Sequence, residues 1–441
     1  MAQDDFFGNI SVDITNNQDP NKKFQVLGSL SQKIGFGLEQ PSDMFARNKR
    51  QLSKVETILF TQLDTKLGND VHLRVSAKLY HDEIYRLGDD GEYSSAEISR
   101  FRNRFEVRDL YLEKSFDNGL YVKFGKQVLA WGQAEYLRVS DLINIEDQYT
   151  FGQQDLEDIR LQVPALLVSF TRGAWTFDNV VTYKAGRNKT SPKGDEFDQL
   201  IALRDQFSLG RVKPDQELEY FLRASTHYSR GDLEIVAADF NDNQLGFENF
   251  SLDISNNSPS LPLPNQINFT QQRMQALAAS GNWVNGPWLV FAEAGRHFNK
   301  AITPSNAEQF NQLNGHNSFD QTLTVLGVEY NGFSNTLLSF EADNVVTNTR
   351  RFMPEQDINL LSFSTRAYWT ALNQRLEVLA IWTKLADNAG RVGRLTINYD
   401  VSDSIDLGFL WVDYHGNSNS ILFDYRNNDV VQIELSYNFQ N

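Results

Sequence analysis

Period-two alternation of apolar and polar residues runs along most of this chain, and helical periodicity is nearly absent. The last segment shows it best: Val431, Ile433, Leu435, Tyr437 and Phe439 point one way, Gln432, Glu434, Ser436 and Asn438 the other. Leu395, Ile397 and Tyr399 likewise oppose Arg394, Thr396 and Asn398, and Ile405, Leu407, Phe409 and Trp411 oppose Asp406 and Gly408. Upstream, Leu361, Phe363, Thr365, Ala367 and Trp369 oppose Ser362, Ser364, Arg366 and Tyr368, while Leu218, Tyr220, Leu222 and Ala224 oppose Glu219, Arg223, Ser225 and His227. Successive side chains of a strand face opposite sides, so each run is a strand with one greasy and one wet face.

A soluble sandwich alternates too, and three further features separate the two cases. Many runs extend over about ten to sixteen residues, longer than strands of globular sheets and suited to a tilted bilayer crossing. The connections alternate in length. Tight turns fall at Leu67-Gly68-Asn69-Asp70, Asp117-Asn118-Gly119, Arg172-Gly173, Arg230-Gly231-Asp232, Asn285-Gly286-Pro287, Asn331-Gly332, Asn373-Gln374 and Ser402-Asp403-Ser404. Longer polar segments lie between them, near 39–50, 87–100, 130–162, 185–215, 242–266, 297–318, 345–355, 387–391 and 415–428. Finally, the apolar face keeps ending in aromatics beside the tight turns, at Trp175, Trp283, Trp288 and Trp369, where an interfacial girdle belongs.

The expectation is an all-β chain: a transmembrane, antiparallel, up-and-down β-barrel of about 18 strands, with short periplasmic turns and long extracellular loops. The facing of 51–66 and 319–330 is ambiguous, so the count runs from about 16 to 18. Lipid offers no hydrogen-bond partner, so the sheet must close, and a barrel of this size has a lumen too wide for side chains alone to fill. Residues 23–441 form the barrel; residues 1–22, polar and without alternation, read as an N-terminal periplasmic extension. The start, Met1 to Asp5, lacks a basic stretch and an apolar core, and reads as a mature terminus with a methionine added. The ending Ile433-x-Leu435-x-Tyr437-x-Phe439 resembles the strand signal read by barrel-assembly machinery, although Gln440 and Asn441 follow it.

Composition narrows the function. The 441 residues include no cysteine, which excludes disulfides and thiolate metal sites. A formal net charge of −16 argues against nucleic acid, whose phosphates need clustered Lys and Arg. The histidines (His72, His81, His227, His297, His316, His415) are dispersed and no G-x-S-x-G turn occurs, so no enzyme activity is expected. Acidic tips such as Asp89-Asp90-x-Glu92 lack the spacing of a calcium loop, and neither metal nor cofactor is expected.

One stretch carries more than generic barrel pattern. Arg108 to Tyr111, then Gly125-Lys126-Gln127 and Trp131-Gly132, then Arg138, Asp141, Ile143 and Asn144, then Asp155, Glu157, Asp158, Arg160 and Pro164 follow a distinctive order. This stretch resembles a family of proteobacterial outer-membrane proteins of unknown function, often encoded near RND-type inner-membrane exporters and distantly similar to alginate-export porins. The family pattern has Asn-Pro where this chain has Asn144-Ile145. The resemblance implies an outer-membrane location and transport, with an RND-type or other periplasmic partner. It supplies no substrate.

The segment 130–162 is the third long loop, the one that folds into the lumen in general porins. It carries Asp141, Glu146, Asp147, Asp155, Glu157 and Asp158 against Arg138 and Arg160. The strands before it supply Arg100, Arg102, Arg104 and Arg108 at period two, with Lys123 and Lys126. Two placements stay open. In one, a basic ladder faces the lumen with the acidic loop across from it, setting a transverse field that selects permeants by charge. In the other, the arginines sit above the bilayer against lipopolysaccharide phosphates. Leu110 and Leu112 share the arginines' parity, which favours the second placement unless a bulge intervenes. Trp131-Gly132 at the strand exit has two readings, a pair that shapes the loop's entry or, more commonly for such a Trp, a girdle residue. The expected function is a constricted, charge-lined outer-membrane channel in contact with lipid and lipopolysaccharide. The alternatives are an export conduit for a polymer or lipophilic product, and a non-conducting receptor or adhesin barrel.

Overall fold

A computed structural model describes residues 24–39, 52–87, 93–154, 156–198, 200–201, 208–210, 217–252, 264–301, 318–349, 358–386, 389–417, 420 and 422–441. The segment 1–22, read above as a periplasmic extension, lies outside them.

An 18-stranded antiparallel sheet closes on itself. Its strands, here β1 to β18, are β1 Phe24–Gly37, β2 Leu52–Leu67, β3 Val71–Asp82, β4 Asn103–Ser115, β5 Leu120–Gln127 and β6 Val163–Arg172. There follow β7 Trp175–Tyr183, β8 Leu218–Tyr228, β9 Gly231–Asn241, β10 Arg273–Asn285, β11 Trp288–Ala301 and β12 Ser318–Phe333. The last six are β13 Thr336–Thr347, β14 Ile358–Ala371, β15 Leu376–Lys384, β16 Arg391–Ser402, β17 Ile405–His415 and β18 Val430–Gln440. Each strand pairs with the next in sequence, and β18 returns to β1 from Leu27↔Gln440 to Gly37↔Val430. Closure leaves no sheet edge at the seam, the condition lipid imposes. Short connections (68–70, 116–119, 173–174, 229–230, 286–287, 334–335, 372–375, 403–404) alternate with long ones, which puts both ends of the barrel chain on the short-turn, periplasmic side.

Burial is inverted relative to a soluble protein. Leu326 and Ile235 are 65% and 58% exposed, while Glu219 and Glu341 are 3% exposed. A water-soluble molecule does not present so continuous an apolar surface, whereas a bilayer demands it. Trp175, Trp283, Trp288 and Trp369 are all exposed on the outer face beside the short turns, the position of an interfacial girdle. No helix among the described residues is long and apolar enough to cross a membrane; the strands make the crossing.

Two local features depart from the sequence reading. The turn expected at Asn331-Gly332 falls at Ser334-Asn335, because Asn335 adopts the left-handed backbone (φ 55°) and the register of β12 slips between Tyr330 and Phe333. The second departure is in β4. Between the pairs Val75↔Leu110 and Ala77↔Val107 the register shifts, so that Arg108 and Asp109 together oppose Ser76. The Ser76 hydroxyl accepts from the Asp109 N–H and donates to the Asp109 carboxylate, both at 2.9 Å, and fixes the bulge. One extra residue reverses the facing of everything beyond it. Arg104 and Arg108 therefore point inward while Leu110 and Leu112 face lipid.

The wall is uneven in height. Strand β5 has 8 residues and β7 has 9, against 16 in β2 and β12. Pairing between β4 and β5 begins only at Leu110↔Lys126, so residues 103–109 rise above the top of β5.

The seam offers a test of closure. A Cβ built on Gly28 would stand 2.4 Å from the Phe60 carbonyl oxygen and 2.5 Å from the Phe439 ring. Gly28→Val should destabilise the barrel by about 1–3 kcal/mol, the usual cost of overpacking, read as a lower urea midpoint for the protein folded into lipid vesicles. An unchanged midpoint would contradict this seam packing.

Candidate functional site

The connection after β5 leaves the wall at Gln127 and returns at Val163. Its base is stapled by amides. Gln127, fully buried, donates through Nε2 to the Ala165 carbonyl at 3.1 Å. Asn144, also fully buried, accepts from the Leu129 N–H at 2.8 Å and donates to the Leu161 carbonyl at 2.8 Å. One side chain thus ties the outgoing and returning arms together, and polar groups buried this deeply are costly unless paired. Gly125 adopts φ +133°, and a Cβ there would stand 2.1 Å from the Leu110 carbonyl, so only glycine fits at the point where β5 runs against β4.

The loop packs its apolar residues on the inner face of β6 to β12. Trp131 is 5% exposed and joins Val139, Leu142 and Ile143 in a cluster with wall residues such as Val180, Phe221, Val236, Met274 and Leu323. Trp131 is therefore not a girdle residue. It lies inside the barrel, edge-on to Phe221 at 6.5 Å and beneath the Arg223 guanidinium at 5.1 Å. The reason is the loop's own path: the chain has turned inward before Trp131 is reached.

The loop's tip is latched by carboxylates of the facing wall. Glu293 on β11 accepts from the N–H groups of Gln133 and Ala134, the latter at 2.7 Å. Glu341 on β13 accepts from the N–H groups of Glu135 and Tyr136, each at 3.1 Å. Arg366 on β14, its side chain fully buried, pairs with Glu135 and, at 3.2 Å, with Glu329. Burial pushes the Glu135 carboxyl above its ordinary range, and the Arg366 guanidinium pulls it back. Gly132 makes the approach possible: its φ is +91°, and a Cβ would come within 2.7 Å of the Glu293 carboxylate. Further along, Tyr414 donates to the Phe151 carbonyl, Arg394 to the Gln154 carbonyl at 2.5 Å, and Gln432 to the Gln153 side chain at 2.7 Å. The loop is held at its base by β5 and β6 and at its far points by β11 to β18. Each of these loop N–H groups would be left buried and unpaired without its partner on the wall, so this placement is firmly specified.

The inner face of β1 to β5 carries a different surface. Lys33, Arg74, Lys78, Arg104, Arg108 and Lys123 stand on it, interleaved with Tyr80, Tyr111 and Tyr121. Arg104 pairs with Glu56 at 2.7 Å, Arg74 with Asp64 at 2.6 Å, and Lys33 with Glu434 at 3.1 Å. The Lys123 amino group lies 3.9 Å from the centre of the Tyr111 ring, with no carboxylate within 4 Å among the described residues. Arg100 and Arg102 are not on this strand. They end the 8-residue helix Ser95–Arg102, opened by a reciprocal cap in which Ser94 accepts from the Glu97 N–H and Glu97 accepts from the Ser94 N–H. The Ser94-x-x-Glu97 spacing was a visible helix-start signal that the period-two reading of these arginines overrode.

The loop's acids divide. Asp158 reaches the basic face directly, pairing with Lys78 at 2.5 Å and Arg108 at 3.0 Å. The others are held by the loops themselves: Asp141 by Arg160 at 2.7 Å, Glu146 by Arg138 at 2.7 Å, and Asp147 by Lys189 at 2.9 Å. Glu157 is exposed on a single helical turn, Leu156–Ile159, and Asp155 lies outside the described residues. Lys126 has the lipid-facing parity of its partner Leu110 and donates to the Val107 carbonyl at 2.5 Å. Strand parity alone marks Glu293 and Glu341 as inward-facing acids and no more. Their partners stand 160 and 206 residues away in the chain, beyond the reach of parity.

Known proteins place the chain as follows. Residues 15–197 match the model of a family described as proteins of unknown function (DUF1302). No curated protein sequence matches the chain. Among solved structures, Acinetobacter baumannii OccAB3 is similar with a TM-score of 0.55 and 10% identity, over 95% of this chain and 99% of that one. Pseudomonas aeruginosa OccK9 (OpdG) is similar with a TM-score of 0.52 and 11% identity, over 95% and 98%. Pseudomonas aeruginosa OpdK, in a crystal structure with vanillate, gives a TM-score of 0.52 and 8% identity, over 95% and 99%. At these identities the likeness is one of fold, that of an 18-strand outer-membrane β-barrel.

Replacing both latch carboxylates, Glu293→Ala with Glu341→Ala, removes the acceptors of four loop N–H groups, at roughly 1–3 kcal/mol for each one left buried and unpaired. Hydrogen exchange at residues 133–136 should speed up sharply while the wall strands stay protected. Unchanged protection at those four amides would show that the wall carboxylates do not hold the loop.

Proposed function

We propose that this protein is a passive outer-membrane channel whose permeant passes between the basic, tyrosine-lined face of β1 to β5 and the inward-folded loop. The observation that carries the reading is the division of the lumen. The loop packs its apolar residues on the inner wall of β6 to β12, whereas the inner wall of β1 to β5 carries six cationic side chains with tyrosines between them. A barrel plugged for its own stability gains nothing from burying so many charges, whereas a constriction uses them to select by charge. Five of the six cations are paired, with Glu56, Asp64, Asp158, Glu106 and Glu434, while Lys123, opposite Glu113, rests on the Tyr111 ring with no carboxylate within 4 Å among the described residues, which suits a small solute carrying one carboxylate and a polar or aromatic body. Arg and Lys grip the carboxylate, and the tyrosine faces carry the rest. Vanillate, the compound in the OpdK crystal structure, is such a solute and serves as a probe. In this reading an RND-type exporter in the inner membrane, as the sequence resemblance implies, is one source of an outgoing solute.

Reversal potential across a planar bilayer under a salt gradient measures the selectivity. Lys123→Glu with Arg108→Glu should move it toward cation preference and slow vanillate uptake into proteoliposomes several-fold. An open channel whose selectivity ignores both changes would contradict the role given to this face. A wild-type barrel that never conducts would favour the receptor reading instead.

A further inference from the structure

The low wall beside β4 has a consequence for lipid. In a paired strand, consecutive side chains face opposite sides. Yet one cavity of about 520 Å³ is bounded by Arg104, Phe105, Glu106, Val107 and Arg108 in unbroken succession. It runs along the edge of β4, above the pair Leu110↔Lys126 where β5 stops. Its other walls include Lys126 on the outer side and Ile145, Leu161 and Lys189 from the inner loops. A free strand edge in hydrocarbon is expensive, and here Lys126 covers part of it by donating to the Val107 carbonyl.

The register fixes the height of this notch. Across β1 to β4 the outward row Leu30–Leu59–Leu79–Phe105 is apolar, with Phe105 64% exposed. The next outward row toward the long loops, Gln32–Thr57–His81–Asn103, is polar and bonded across strands, Thr57 to Gln32 and His81 to Asn103 at 2.7 Å each. On β3 and β4 the outward face therefore changes from apolar to polar one row above Phe105, and the notch opens beside that change. A second recess, about 330 Å³, borders Phe105 and spans both rows, touching Leu59 and Leu79 as well as Thr57 and His81. Lys126 is a cation on the lipid-facing parity at this level, with no carboxylate in salt-bridge reach among the described residues. Such a charge is tolerated near the interface and calls for an anion there.

We infer that this notch is a side entrance through the barrel wall that binds a single-chain carboxylate amphiphile from the outer leaflet, with its chain along Phe105, Val107 and Leu161 and its headgroup at Lys126. Apolar walls take the chain, while Lys126 lines the cavity from the lipid-facing side and Lys189 and Arg108, both paired with Glu106, line it from within. The cavity falls within the roughly 300–1,000 Å³ typical of sites for one small ligand, too small for a many-chained lipid. The inference goes beyond the channel reading and stands on the wall, not on the lumen.

The test uses the full-length protein in lipid nanodiscs with palmitate bearing a terminal diazirine, photolysed and mapped by mass spectrometry. Label should concentrate on Phe105, Val107, Ile145 and Leu161. Lys126→Glu should lower it by roughly tenfold or more, as expected when an attractive charge becomes a like charge. Val107→Trp, which fills the notch without changing charge, should do the same if the first variant folds poorly. Label spread evenly over lipid-facing positions such as Leu277 and Leu326 would overturn the proposal. So would equal labelling by the uncharged alcohol, or displacement of the label by lipopolysaccharide but not by excess palmitate. Small-ion conductance, recorded in parallel, reports on the lumen alone, so failure of either reading is told apart from failure of the other.

Discussion

Hydrocarbon supplies no hydrogen-bond partner, and that single constraint orders the rest of the molecule. It forces the sheet to close from β18 back to β1, sends apolar side chains outward, and leaves the charged ones inside. An interior wide enough for a loop then has to satisfy every group the loop brings with it. The chain does so with carboxylates placed on strands far from the loop's origin, Glu293 and Glu341, and with Arg366 beside them. One place where the constraint is only partly met is the upper edge of β4, and there a lysine stands in for the missing strand.

The bulge at Arg108-Asp109 shows how little it takes to decide what faces the lumen. Without it, Arg104 and Arg108 could not share an inner surface while Leu110 and Leu112 meet lipid. With it, both halves of β4 obey the same rule. A serine hydroxyl holds the arrangement, so a small polar group in a neighbouring strand fixes the charge pattern of the wall. The same economy appears at Asn144, whose amide joins both arms of the loop.

The barrel was legible because its signal is repeated. Alternation in strands such as β8 and β18, and the contrast between Asn118-Gly119 turns and long polar connections, recur often enough to outvote any local ambiguity. The loop's interior was not legible in the same way. Trp131 has the composition of a girdle residue, and only the inward turn after Gln127 makes it a core residue. Arg100 and Arg102 have the spacing of a ladder, but a capping box at Ser94-x-x-Glu97 takes them onto a helix. The latch is a meeting of backbone N–H groups with acids from distant strands, and backbone donors carry no sequence signature at all. Parity places a side chain on a face. It does not say what will lie against it.

On the proposed reading, the inner face of β1 to β5 lines a path that selects permeants by charge. Swelling of proteoliposomes containing the wild-type protein tests it most directly, using solutes of matched size that are anionic, neutral and cationic. The account predicts fastest entry for the monocarboxylate and slowest for the cation. Equal rates for all three, or no entry by any of them, would contradict it.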